Sequence, residues 1–313
     1  MRDSIEIAAQ LAFPEGPVAM PDGSIVLGEI GAGRLTRIAM DGRTTCLAET
    51  GGGPNGLALG PDGRLYVCNN GGFSWDRAGG MWRPLAKAPD NTGGSIQRVD
   101  ADTGKVETLY DRCGDVALSA PNDIVFDRFG GFYFTDHGHR QGRTVGFGAV
   151  YYAKADGSFI REVAYPLIGP NGIGLSPDGD RLYVAETSSG RLWSWRVEGP
   201  GLLAGTDWPS PTGGDLVAGL PGFQRYDSLA VEAGGNICIA TLRLGGIVVV
   251  SPDGHEVERI RTPDPYTTNL CFGGPDMKTA FVTLSGSGRL VSMEWPRPGL
   301  SVSTDILHEE ERS

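Results

Sequence analysis

The sequence predicts an all-β protein: one six-bladed β-propeller with four-stranded blades, a single domain over residues 1–313. Three observations carry that expectation. A short unit recurs six times, tight turns separate short apolar runs throughout, and no amphipathic helix stands between the copies. Gly and Pro account for 49 and 21 of the 313 residues, about 22% where average usage is roughly 12%. They fall in turn pairs and not in low-complexity tracts. The lack of helices argues against a βαβ sheet. A β-sandwich or a pair of β domains leaves the recurring first residue of the unit unexplained.

The elements follow in order. The run "SIEIAAQL" precedes the first unit and is expected to add an outer strand to the last blade, closing the ring. The units are "EGPVAMPDGSIVLGE" from Glu15, "NGLALGPDGRLYVCN" from Asn55 and "NDIVFDRFGGFYFTD" from Asn122. "NGIGLSPDGDRLYVAE" from Asn171, "DSLAVEAGGNICIAT" from Asp227 and "TNLCFGGPDMKTAFVT" near Thr268 and Asn269 complete the set. Each copy is a polar residue, a short apolar strand, a tight turn and a strand of β-branched and aromatic residues. The Asp-Gly pairs at Asp22, Asp62 and Asp178 signal hairpins, because Gly accommodates the positive φ that such turns need. First residues of successive copies lie 40, 67, 49, 56 and about 42 positions apart. Six units in 313 residues give about 52 residues each, in the range of a propeller blade. Residues 71–94 lengthen the second unit, and residues 137–148 lengthen the third.

A turn needs its Pro, Asp and Gly; it does not need an Asn seven residues earlier. In a propeller the innermost strands line a central channel, so equivalent positions form a ring about the axis. The ring would be Glu15, Asn55, Asn122, Asn171, Asp227 and Thr268 or Asn269, the extra Gly of "FGGPD" leaving the sixth register open. Every member offers an oxygen, and two carry charge. Asn and Asp also cap turns locally, but that reading does not explain their recurrence. Carboxylates with amide carbonyls form a hard oxygen site at one mouth of the channel. It suits one divalent ion per chain, Ca²⁺ first, with Mg²⁺, Mn²⁺ or Zn²⁺ as alternatives.

The formal charge is -11, with no basic run, which argues against nucleic acid as a partner. Five cysteines, an odd count without a CxxC pair, read as reduced thiols and a cytoplasmic protein. No apolar signal segment opens the sequence and no run of 18 apolar residues occurs, so no membrane association is expected. "GGGPNG" at 51–56 formally matches GxGxxG, but it contains Pro54 and precedes a strand, so it is not a dinucleotide loop. His137 and His139 lie on a loop after the strand that follows Asn122. They read as solvated residues, or as substrate contacts or a proton shuttle. Trp75 and Trp82 lie in the long insertion. They read as packing that holds the loop, or as an apolar wall or lid of the pocket.

The chain resembles the senescence marker protein/regucalcin/gluconolactonase family. The resemblance rests on "FPEGPV" at 13–18, "APNDIVFDRFGGFYFTD" at 120–136, "GPNGIGLSPDG" at 169–179, "YDSLAV" at 226–231 and "FGGPDMKTAFVT" at 272–283, in that order and spacing. It implies a six-bladed propeller and metal-dependent hydrolysis of a lactone, such as a sugar-acid lactone. It places metal ligands on Glu15, Asn171 and Asp227. Asn122 becomes a substrate contact and a further ligand, and Asp227 the general base. Asn55 and Thr268 would line the pocket. Family members acting on aldonolactones often carry Arg two residues before that Asn; here the position holds Ala120, a departure that bears on sugar-acid specificity. The competing readings are an organophosphate or aryl-ester hydrolase on the same ring, a calcium-binding regulatory propeller without turnover, and a strictosidine-synthase-like propeller. The expected partner is a small lactone, and the expected state a monomer or small homo-oligomer.

Overall fold

The computed structural model describes residues 2–301, which form six antiparallel blades around one axis. From inside outwards the first blade is Pro14–Ala19, Ile25–Glu29, Arg34–Ile38 and Thr44–Glu49. The second is Pro54–Leu59, Leu65–Asn69, Ser95–Val99 and Val106–Tyr110; the third is Pro121–Phe126, Gly131–Asp136, Gly148–Lys154 and Ile160–Leu167. The fifth is Tyr226–Val231, Ile237–Thr241, Gly246–Val250 and Glu256–Arg261. The sixth, Thr267–Gly273, Thr279–Leu284 and Arg289–Glu294, takes its outer strand from Ser4–Ala8, with Ser4 opposite Met293. This is the expected closure. The fourth blade, Pro170–Leu175, Arg181–Glu186 and Arg191–Gly199, departs from four strands. Leu202–Ala204 and Asp215–Ala218 share its outer edge, each pairing with a different part of Arg191–Gly199. The segment between them, "GTDWPSPTGG", carries two prolines, which lack the N–H a ladder needs.

Successive strand residues point to opposite faces of a sheet, and here neighbouring blades cover both faces. Phe132 and Phe134 pack with Tyr66 and Ile96 of the second blade, while Tyr133 between them packs with Leu182 and Trp193 of the fourth. Six such clusters each seal one pair of adjacent blades. That is why the second strands read as continuous apolar runs such as "ICIAT" and not as an alternating pattern. At the far end of the innermost strands of the first, second and fourth blades the Pro-Asp-Gly turns are three-residue loops. Gly23 donates to the Met20 carbonyl and sits at φ 83°, while Asp22 keeps negative φ and accepts from the Ser24 N–H. Gly63 (73°) and Gly179 (72°) repeat the left-handed position.

Both insertions connect a second strand to a third, so both rise from the face where the innermost strands begin. The first holds the hairpin Phe73–Asp76 with Arg83–Lys87; the second holds Arg140–Gln141 with Thr144–Val145, and the two touch. All five cysteines are free. Among the described residues no helix is long and apolar enough to cross a membrane.

Candidate active site

The strand register makes the six expected ring positions equivalent. Pro14, Pro54, Pro121, Pro170, Tyr226 and Thr267 pair with the ends of their second strands at Glu29, Asn69, Asp136, Glu186, Thr241 and Leu284. The next residues are Glu15, Asn55, Asn122, Asn171, Asp227 and Thr268, so the sixth register resolves to Thr268. In every blade the register shifts close to this point. Such a bulge re-aims a side chain out of the regular ladder, here toward the axis. After it, Gly16, Gly56 and Gly172 leave no room for a side chain. A Cβ there would lie 2.3 Å from the Asn55 carbonyl oxygen, 2.5 Å from that of Asn122 and 2.5 Å from the Leu229 nitrogen. In the other three blades this position carries a polar group: Asp123, Ser228 or Asn269. These form a second tier just inside the mouth. Asp123 and Ser228 are functional candidates that the sequence reading missed; the signal was a side chain where three sister units have Gly.

The two tiers interlock. Glu15 is buried, and its Oε2 accepts from the Gly16 N–H and from Asn269 Nδ2, both at 2.9 Å. Asn171 Nδ2 donates to Thr187 Oγ1 at 3.2 Å, and Ser228 Oγ donates to Asn171 Oδ1 at 3.4 Å. Thr135 Oγ1 accepts from the Asp123 N–H and donates to the Asn171 carbonyl at 2.6 Å. The Thr268 hydroxyl is taken up by Thr283 and Ser285. Asn122 Oδ1 is buried without a hydrogen-bond partner, a state that costs about 1–3 kcal/mol unless something fills it.

Electrostatics single out the same place. Burial pushes the Asp227 carboxyl well above the usual range, and the Glu15 charge adds to it. Burial also raises Glu15, against hydrogen bonds from Asn269 and Gly16. Asp123 is pushed up to about 8 by burial and then by Glu15. Carboxylates removed from water need a countercharge, and no lysine or arginine is ion-paired to any of the three among the described residues. An orphaned amide oxygen on the same ring as two buried carboxylates fits a hard divalent cation. Among the described residues no three His, Cys, Asp or Glu side chains group closely enough to hold an ion by themselves. A hard-ion site here would therefore need the amides of Asn122 and Asn171 as well as Glu15 and Asp227.

The rim around the mouth is pinned by the second strands. Asp136 accepts from the Ser119 and Ala120 N–H groups, Glu29 from Ala12, Asn69 from Gly53 and Glu186 from Ile168. Each fixes the loop that leads into an innermost strand. His137 and His139 are half-buried on the third blade's rim, with ring nitrogens bonded to the Gly138 and Ser119 carbonyls. Burial lowers the pKa of both, so neutral rings are favoured. Trp75 and Trp82 meet edge to face at 5.2 Å, and Trp75 packs on Phe13 at 5.0 Å. Their cluster includes Ile30, Tyr266 and Leu242, so the second blade's hairpin reaches along the rim over the first, sixth and fifth blades. These tryptophans fasten the hairpin, on the face where the innermost strands begin.

Residues 13–286 match the SMP-30/Gluconolactonase/LRE-like region. The chain belongs to that family. Among its family relatives, a Lactonase drp35 of Staphylococcus saprophyticus subsp. saprophyticus is 30% identical over 261 residues, 83% of this chain and 72% of that one. A second, from Staphylococcus haemolyticus, is 28% identical over 251 residues, 80% and 69% of the two chains. The same family fold appears in a gluconolactonase of Xanthomonas campestris at 24% identity and a TM-score of 0.73, covering 94% of this chain and 89% of that one. It appears again in regucalcin of Agrobacterium tumefaciens, a calcium-binding protein, at 19% identity and a TM-score of 0.74, covering 96% and 95%.

Proposed function

We propose that this protein is a divalent-metal-dependent hydrolase that opens the ring of a small lactone, with Ca²⁺ as the ion. The observation that carries the reading is the pair of buried carboxylates, Glu15 and Asp227, at ring positions equivalent to that of Asn122 with its unpartnered oxygen. Kinship with proteins named lactonase supports the choice of substrate. Glu15, Asn122, Asn171 and Asp227 hold the ion. When bound, the ion offsets the two carboxylate charges and polarises the lactone carbonyl as a Lewis acid. The Asn122 amide donates to the same carbonyl oxygen or to a ring hydroxyl. Asp227 accepts a proton from the water that adds to the carbonyl carbon. The acyl carbon–ring oxygen bond then breaks, and the proton held on Asp227 passes to the departing ring oxygen, leaving a hydroxy acid. Asn55 and Thr268 border the substrate, with His137 and His139 on one side of the rim and the Trp75–Trp82 wall on another.

A lactone panel assayed by acid release tests this, with chelator-stripped protein and Ca²⁺ added back. Turnover is expected to vanish on stripping and to return with the ion. If no lactone or ester is turned over with any divalent metal, the reading fails and a calcium-binding regulatory role replaces it.

A further inference from the structure

The residue two positions before each ring residue is the last of the rim before the innermost strand begins. The six are Phe13, Gly53, Ala120, Gly169, Arg225 and Tyr266. Phe13 and Tyr266 join the aromatic cluster under the hairpin. Gly53, Ala120 and Gly169 are small and bring no polar side chain. Arg225 alone presents a charge. It is half-buried, and its carbonyl accepts from the Leu242 N–H at 2.9 Å, which fixes its backbone to its own blade. Every other half-buried arginine among the described residues has a carboxylate or carbonyl partner: Arg37 on Asp22 at 2.8 Å and Arg297 on Glu232 at 2.6 Å are examples. Arg225 has none. Its guanidinium is nevertheless within electrostatic reach of Asp227 on its own blade and of His137 on the third. Its influence on Asp227 stands behind burial, Glu15, Asn171 and Asp123, and no ion pair joins the two among the described residues.

We propose that Arg225 binds an anionic group of the substrate, and that the lactone opened here carries a carboxylate or a phosphate ester. The inference rests on the lactone reading and narrows it. A guanidinium that stands on the rim without a protein partner is free to take an anion, and its planar fork matches the two oxygens of either group. The fifth blade thus supplies the cation that Ala120 does not supply from the third. The partly buried Trp75 and Trp82 of the hairpin offer apolar contact to the rest of the substrate, so the anionic end lies toward the fifth blade.

The test compares kcat/KM for a carboxylate-bearing lactone, a phosphate-bearing lactone and the neutral methyl ester of the first, in wild type, Arg225→Met and Arg225→Lys, with melting curves as a check on folding. The wild type is expected to prefer one anionic substrate over the neutral ester, and the two anionic arms show which group it takes. Arg225→Met should cut the anionic-to-neutral ratio by about 10- to 100-fold, mainly through KM, and Arg225→Lys should recover part of it. An unchanged ratio in Arg225→Met, or a wild-type preference for the neutral ester, overturns the proposal. Failure of the lactone reading shows separately, as no turnover of any of the three. Calorimetric titration of a carboxylated lactam and of inorganic phosphate in the presence of Ca²⁺ then still reads the residue. Weaker binding of either to Arg225→Met supports the role, and equal binding overturns it.

Discussion

Asp227 combines two conditions that pull against each other: it is buried beside another carboxylate, and it is asked to take a proton. Without a cation, Glu15 and Asp227 strain the folded state, because burial and mutual repulsion both oppose their charges. Replacing Asp227 by Asn keeps the size and an oxygen but removes the charge. The metal-free variant should therefore melt above the metal-free wild type, while the melting shift produced by added Ca²⁺ should shrink; differential scanning calorimetry reads both. At saturating Ca²⁺ its kcat should stay about 10²–10⁴-fold down, the usual cost of losing a general base. A wild-type rate under those conditions removes Asp227 from that role. Glu15→Gln should behave differently, recovering more of its activity as the metal concentration rises, since Glu15 is assigned only as a ligand.

At the scale of elements, the hairpin Phe73–Asp76 with Arg83–Lys87 lies outside the six inter-blade clusters and is fastened by its own aromatic cluster, with Arg77 stacked over Trp82 at 3.5 Å. Trp82→Ala should free the hairpin without unfolding the ring. The expected signs are proteolytic cutting within residues 73–87 and altered KM across a lactone panel, with a small change in melting temperature. Equal KM changes for all substrates, or global unfolding, would reduce Trp82 to packing alone. The six innermost strands were legible in the sequence because each repeats one constraint: a polar residue facing the axis, then an apolar strand locked between neighbours. The second strands were legible for the same reason, being buried on both faces. Outer strands meet solvent and repeat little, so the split edge of the fourth blade left no trace in the pattern. Asp123 and Ser228 stayed hidden because a single unit does not reveal that its next position is normally Gly; only the close approach of adjacent strands explains that. Arg225 was passed over because its meaning depends on the missing partner, a property of space and not of spacing.

For the whole molecule, ion binding and ring closure are the two levers on stability. An ion that binds only the folded state adds RT ln(1 + [L]/Kd), about 2.7 kcal/mol at a hundredfold excess over Kd. Chelation should lower the melting temperature accordingly, and an unchanged melting temperature would argue against a tight site. Removing the strand Ser4–Ala8 exposes Arg289–Glu294 as a bare edge, the kind of surface that pairs with other chains. That truncation should broaden the unfolding transition and raise aggregation, measured by calorimetry and light scattering. Closure also sets a timetable for synthesis. Glu15 and Asn269 share a hydrogen bond across 254 positions, so at roughly 5–20 residues per second the first must wait on the order of 13–50 s for the second to be made. Through that interval Glu15 lacks the hydrogen bond that Asn269 donates to it. A ribosome that stalls before Glu294 releases neither a ring nor a mouth, so activity in a cell would count only chains that were finished.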